Sequence, residues 1–338
     1  MIPRCRPRSR TVVHSRLALL ALLAAVAIVP VAGRAQQATT PVAAGPLDEV
    51  TITGERPGPG LWKATRDGHA LWLMGTLEPL PKRMTWRSAQ VERVITAAQV
   101  VLPASTSVKA DAGPIALVGL YFSVRRAQRL PDGQTLANVL SPPQYQRLEA
   151  LRQRLAPRLQ LDGLRPMVAA QRLYEEALSA YGLRSDREVE KSVLRMARSR
   201  GVRIDENVLR LDDPKGLLAE LDHIPKEAEL RCLDVTLARL ESDLPALRER
   251  AAAWAVGDVA ALRRLRQNEE RTACWDAVEL SPRLHALIDA QRARRVQRLD
   301  AARVTHASTF ALLPIDQLLA PDGVLETLRR MGYAIEEP

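Results

Sequence analysis

The chain is 338 residues long, 46% hydrophobic, with a formal net charge of +10 from 49 Lys+Arg against 39 Asp+Glu. That much apolar material fills the core of one large or two small domains and excludes a wholly disordered chain. Six arginines and no acid lie in residues 1–35. Without them the balance is 43 basic to 39 acidic, a net of +4, which is an ordinary mixed surface and excludes a nucleic-acid footprint.

The N-terminus is basic, with Arg4, Arg6, Arg8, Arg10 and Arg16, and is followed by an apolar run from Leu17 to Ala32 and then Gly33-Arg34-Ala35. This is the three-part layout of a secretory signal, with cleavage expected after Ala35. The alternative is a membrane anchor, but the run is shorter than the roughly 20 residues a spanning helix needs and Pro30 interrupts its end. Cys5 precedes the run, so no lipid-anchoring cysteine stands at the cleavage point. The reading is therefore export to the periplasm or beyond, with no stable membrane span after processing. Residues 36–60 form a linker closed by Pro57-Gly58-Pro59-Gly60. Within it, Leu47-Asp48-Glu49-Val50-Thr51-Ile52-Thr53-Gly54 is similar to TonB-box segments, although a leader or an added edge strand accounts for it as well.

A domain from 61 to 338 follows. Leu61–Ala64 and Ala70–Gly75 are strand-like, and Asp67-Gly68 between them is a hairpin turn. Gly75–Pro81 leaves the second strand as a loop. Apolar spacing predicts a helix over Ser88–Ala98, and Val100–Pro103 reads as a short buried strand stopped by proline. Beyond residue 113 the pattern is mostly helical. Ser141-Pro142-Pro143 caps and opens a helix. Further helices cover Met167–Tyr181 and Asp186–Arg200, each ended by a glycine, and Val202–Ile204 is a candidate strand. A long helical pair is expected over Lys226–Ala255 and Asp258–Val278, broken at Gly257 with Asp258 as cap. Pro282–Leu299 is helical, and its arginines Arg292, Arg294, Arg295 and Arg298 read as a solvated face. Ala307–Leu313 is a strand, Pro321-Asp322-Gly323 a turn, Val324–Met331 a helix and Tyr333–Ile335 a last strand. Strands at both ends with helices between them predict an α/β fold, with a mixed central sheet of N- and C-terminal strands flanked by helices and a large helical middle region.

Cys232 and Cys274 are the two cysteines beyond the signal. An even pair in an oxidising compartment predicts a disulfide. Two buried thiols or a metal pair are the alternatives, and the latter lacks the short Cys-x-x-Cys spacing of zinc sites. None of His69, His223, His285 and His306 pairs with another at the i, i+4 spacing of a helical metal site. There is no G-x-S-x-G, P-loop or G-x-G-x-x-G.

The order of several short motifs resembles the TraB/GumN family, which is related to the TIKI metalloproteases, from Leu61 to Ile335. Leu61-Trp62-Lys63 with Leu71–Leu77 is similar to the family's opening hairpin. Leu136–Ser141 with Tyr145 resembles the segment before its first long helix, and Arg165-Pro166-Met167 its Lys-Pro-Trp start. Ala253-Trp254-Ala255-Val256-Gly257-Asp258 is similar to its Trp-x-x-Gly-Asp turn, and Pro321–Leu325 with Arg330–Ile335 to its C-terminal signature. The resemblance implies two Gly-x-x-His motifs whose histidines, with an acid, hold a divalent metal. Here Gly75-Thr76-Leu77-Glu78 carries glutamate in place of the first histidine. Pro314-Ile315-Asp316-Gln317 carries Pro314 for the glycine and Gln317 for the second histidine. Pro103 stands where the family usually places a glutamate, and Leu287–Arg292 lacks its Glu-Arg-Asn stretch.

An amide is a poor ligand for a borderline metal, and one carboxylate holds a hard cation weakly. The expectation is a catalytically degenerate member with no cofactor, binding an envelope protein, a peptide or a glycan in a cleft between the strand ends. That cleft would be lined by Glu78, Gln317 and one or both of Trp72 and Trp86, although both tryptophans also suit core packing. The alternative is a metal-dependent, peptidase-like hydrolase with rearranged ligands, in which Glu78, Asp316 and His306 converge on Mn, Co or Ca.

Overall fold

A computed structural model of the chain describes residues 58–110, 113–131, 133–265 and 270–338. The expected signal peptide, most of the linker and its Leu47–Gly54 segment lie outside the described residues. Among the described residues the strands are β1 (Leu61–Arg66), β2 (His69–Thr76), β3 (Leu80–Pro81), β4 (Val100–Leu102), β5 (Thr106–Ala110), β6 (Leu183–Arg184), β7 (Arg203–Ile204), β8 (Asn207–Leu211), β9 (Ser308–Pro314) and β10 (Ala334–Glu336). The β1–β2 hairpin turns at Asp67 and Gly68, both in the left-handed region at φ 51 and 78. That is the backbone a two-residue hairpin loop demands.

Six strands form the central sheet in the order β10-β1-β2-β9-β4-β7. β1 is antiparallel to β10 and β2, whereas β2, β9, β4 and β7 run parallel. The expected mixed sheet of N- and C-terminal strands is therefore present, with β9 seated between β2 and β4. Its middle is mostly apolar: Leu71, Leu73, Met74, Val101, Phe310 and Leu312 are buried, with Thr309 as a buried polar residue among them. The helices Ala89–Ala97 and Pro282–Thr305 pack against it. Strands this apolar are what a sheet covered by helices requires. The helical middle has a separate core in which Leu148, Leu173, Leu233 and Leu237 meet.

Capping chemistry set several boundaries as read. Ser141 makes a reciprocal capping box with Gln144 ahead of the helix Pro142–Leu155, and Asp258 Oδ1 accepts from the Ala261 amide at 2.8 Å. The long pair differs from expectation. Its first member divides into Lys226–Ser242 and Leu244–Ala255, because Pro245 has no N–H to donate and its ring clashes with the preceding turn. Its second member contains Val259–Arg264 and Glu270–Glu279. The helix from Pro282 runs on to Thr305 rather than stopping at Leu299. The parallel pair β5–β8 had no apolar alternation to reveal it, since Ser107, Val108 and Lys109 are all exposed. Cys232 and Cys274 form a disulfide between the helices Lys226–Ser242 and Glu270–Glu279.

A polar cluster closes the end of the sheet where β2 and β9 begin. The Tyr333 hydroxyl donates to Asp300 Oδ1 at 2.6 Å. Arg303 reaches Asp67 at 3.1 Å and Asp300 at 3.3 Å, with its guanidinium 5.7 Å from the Tyr333 ring centroid. Burial, and then the hydrogen bond to Asp300, pushes the Tyr333 phenol up from 10.0 to about 12. A group whose folded pKa is raised stabilises fully below its unfolded value and loses that contribution as pH rises through the folded one. Stability due to Tyr333, about 1–2 kcal/mol once solvent screening is allowed for, should thus be intact below about pH 10 and lost toward pH 12. Urea titrations at both pH values should show Tyr333→Phe losing about that much less than wild type. The difference between the two proteins is the readout, because other tyrosines and lysines titrate in the same range.

Candidate functional site

Parallel strands point their carboxyl ends the same way, and ligands in such sheets bind in the crevice beyond those ends. Here that edge is made by Thr76, Leu102, Ile204 and Pro314. A cleft of ≈ 240 Å³ opens there, lined by Thr76, Leu77 and Glu78 after β2, by Ala104, Ser105 and Thr106 after β4, and by Pro314 and Asp316 after β9. Arg187, Val189 and Glu190 close it from the start of the helix Glu188–Ser199. A second cleft of ≈ 200 Å³ shares Leu77, Glu78, Arg187 and Val189 and adds Met84, Trp86, Arg184 and Asp186. Glu78 therefore lies between two adjoining cavities.

The acids of the first cleft are held by neighbours. Glu190, 4% exposed, accepts from the Ser105 amide at 2.9 Å and the Ser105 hydroxyl at 2.6 Å. Asp316 is bound by Arg250, whose residue is 2% exposed. Thr76 donates to the Leu313 carbonyl at 3.2 Å, and Asn207 donates to Thr106 at 2.7 Å. The floor is pinned by Trp254, whose indole N–H donates to the Gly75 carbonyl at 2.7 Å. Gly75 has no room for a side chain, because a Cβ would sit 2.2 Å from Ile315 Cδ1. This close approach sets the helix Ile315–Leu319 against the end of β2. Trp254→Phe keeps the packing but leaves the buried Gly75 carbonyl without its donor. We expect a loss of about 1–3 kcal/mol, measured by chemical denaturation.

The residues expected at the site are only partly brought together. Glu78 and Asp316 line the same cleft. Gln317 does not join them: it lies on the helix Ile315–Leu319, is exposed and lines neither cleft. Successive helical residues point about 100° apart, so a helix that turns Asp316 to the cleft turns Gln317 away. Trp86 lines the second cleft and stands edge-on to Trp254 at 5.9 Å. Trp72 is mid-strand in β2 beneath Lys63 and lines neither cleft. His306 caps the helix before β9, and its carbonyl meets His69 Nδ1 at 3.0 Å. It stands at the opposite end of the seven-residue β9, roughly 20 Å of strand from Asp316. The structure brings Glu78 and Asp316 to one cleft and does not bring His306 to them.

Residues of the site that the sequence reading did not single out include Arg184, Arg187, Ser105, Glu190 and Arg250. One signal was present for the last. Arg250 falls on the apolar stripe of its helix, three residues after Leu247 and four before Trp254. A charge at such a position needs a buried partner.

The TraB/PrgY/gumN family model matches residues 60–337, nearly the whole described fold. The chain belongs to this family. No curated protein and no solved structure matches it. A family-type metal site does not fit the residues present in this member. No histidine lines either cleft, Asp316 is bound by a buried arginine, and Glu190 is engaged by Ser105. Among the described residues no three of His, Cys, Asp and Glu gather closely enough to hold an ion. Ser105, the serine lining the first cleft, donates to the Glu190 carboxylate, and no histidine lines that cleft. The clefts instead offer carboxylates and hydroxyls beside Arg184, Arg187 and Trp86, a set suited to recognising a polar ligand.

Proposed function

We propose that this member of the TraB/PrgY/gumN family is an exported protein that has given up metal-dependent hydrolysis. It acts in the periplasm or outside the cell as a binding or accessory protein, taking a peptide, a glycan or a segment of an envelope protein at the strand-end cleft. The observation that carries this reading is the pairing of Asp316 with buried Arg250. A cation fixed against the acid inside the second motif disfavours a metal ion there by charge alone. The adjoining acids, hydroxyls, arginines and Trp86 support polar recognition, with the indole offering a face for a sugar ring or an aliphatic side chain. The basic, apolar, small-residue order of residues 1–35 supports export. A disulfide is stable in the compartment that export reaches.

The test is metal analysis of purified protein together with melting curves in Mn, Co, Zn and Ca. The expected result is sub-stoichiometric metal and melting temperatures that differ little between wild type and Glu78→Ala. Stoichiometric metal that disappears in Glu78→Ala would favour the hydrolase and end this proposal. Export has its own check: protein recovered from the periplasm of an expressing host should begin at Gln36.

A further inference from the structure

The helix Pro114–Ala127 follows the β5 strand that leaves the cleft, and it packs against the short helix Pro214–Ala219. Val118, Tyr121, Phe122 and Arg125 are spaced i, i+3, i+4 and i+7, so they share one face. That face is turned to solvent, with Val118 57%, Tyr121 56% and Phe122 64% exposed. The sequence has two phenylalanines. Phe310 is fully buried in the central sheet, while Phe122 is the most exposed large hydrophobic side chain among the described residues. Val108, in the preceding β5, is exposed to a similar degree at 59%. Scattered exposed apolar residues need no explanation, whereas a grouped set marks a contact surface.

The charge around this face selects its partner. Residues 113–131 contain Arg125, Arg126 and Arg129 and no acid, and all three arginines are exposed. Lys109 is exposed on β5, and Lys215 brings its Nζ close to Gly119 of the helix. Arg125 donates to the Tyr121 hydroxyl at 3.2 Å and lies 5.9 Å from its ring centroid, which holds the cation at the margin of the aromatic patch. We propose that this helix face docks on an anionic lipid bilayer. An aromatic and aliphatic face bordered by arginines, on a helix that itself carries no acid, is the pattern that lies in the headgroup boundary and draws on negative lipid charge. A second copy of the chain fits less well, because a twofold contact would set each arginine cluster against its equivalent. At 14 residues, or about 21 Å, the helix is too short to cross a bilayer and lies on its surface.

The experiment is co-sedimentation of the full chain with vesicles of phosphatidylcholine, with and without phosphatidylglycerol. Wild type should bind the anionic vesicles and weaken as salt is raised. Phe122→Ser and the double variant Arg125→Glu/Arg126→Glu should each bind on the order of tenfold less. Leu280→Ser, which alters an exposed leucine elsewhere, should bind as wild type does. The apolar run Leu17–Ala32 is common to all four proteins, so differences among them report the helix. Unchanged melting temperatures are expected, because the replaced side chains are exposed. Absence of binding by wild type, or equal binding by wild type and Phe122→Ser, would overturn the proposal. So would self-association that Phe122→Ser abolishes in a protein that ignores vesicles.

Discussion

Arg250→Ala should destabilise the fold by about 3 kcal/mol, the low end of the cost of removing one member of a buried ion pair. The guanidinium is almost wholly enclosed beside the core tryptophan Trp254, and Asp316, 27% exposed, is bound to it. Partial exposure of Asp316 lets water soften the loss of its cation, which places the effect at the lower end. Asp316→Ala should cost a comparable amount, since it removes the carboxylate against which the guanidinium was buried. The double variant Arg250→Met/Asp316→Leu should recover most of the stability, because burying two well-packed apolar groups avoids the desolvation of two charges. Urea denaturation of the three variants tests this. Single variants that both stay within about 0.5 kcal/mol of wild type would show that the pair contributes nothing, and the argument for its role in the cleft would weaken with it.

Removing the Cys232–Cys274 bridge should cost about 4 kcal/mol. The two cysteines are 42 residues apart in sequence, and in the chain-entropy account freeing a loop of that length enlarges the unfolded ensemble by about this much. For a domain of this size the melting temperature should fall on the order of 10 °C. Reduced wild type and the double variant Cys232→Ala/Cys274→Ala should agree, apart from a small cavity left at the fully buried Cys232. A shift of only one or two degrees would mean that the helix Glu270–Glu279 is held by packing alone. The bridge also bears on the proposed location, since a protein that gains this much from a disulfide is at a disadvantage in a reducing compartment.

Local chemistry was legible in the sequence. Asp67-Gly68, Ser141 with Gln144, and Asp258 each fix a backbone geometry through their own side chain or lack of one, and the structure has them as turn and caps. A sheet shared by N- and C-terminal strands was legible from their places at the two ends, whereas the seat of β9 between β2 and β4 was not, because nothing in either strand names its neighbour. Glu78 was found because it interrupts a motif. Ser105 and Glu190 were not, since they are 85 residues apart and their meaning arises only when a helix start is set over a strand end. Gln317 was expected at the cleft because it stands where the motif has its second histidine, whereas the helix Ile315–Leu319 turns Asp316 to the cleft and Gln317 away. The β5–β8 pair was invisible for a related reason, as its exposed faces carry no hydrophobic period.

The position of β9 also governs the order in which the protein can be made. It pairs with β2 on one side, Trp72 opposite Phe310, and with β4 on the other, Val101 opposite Phe310. Until Ser308–Pro314 has emerged during synthesis, β2 and β4 have no strand between them and the buried faces of both await a partner more than 200 residues downstream. A chain with contacts this distant in sequence folds slowly, so its apolar strands stay open until β9 has emerged. For a chain proposed above to cross a membrane before it folds, that delay is an advantage: the strand that locks the sheet follows β4 by more than 200 residues, and the polypeptide remains threadable until it arrives.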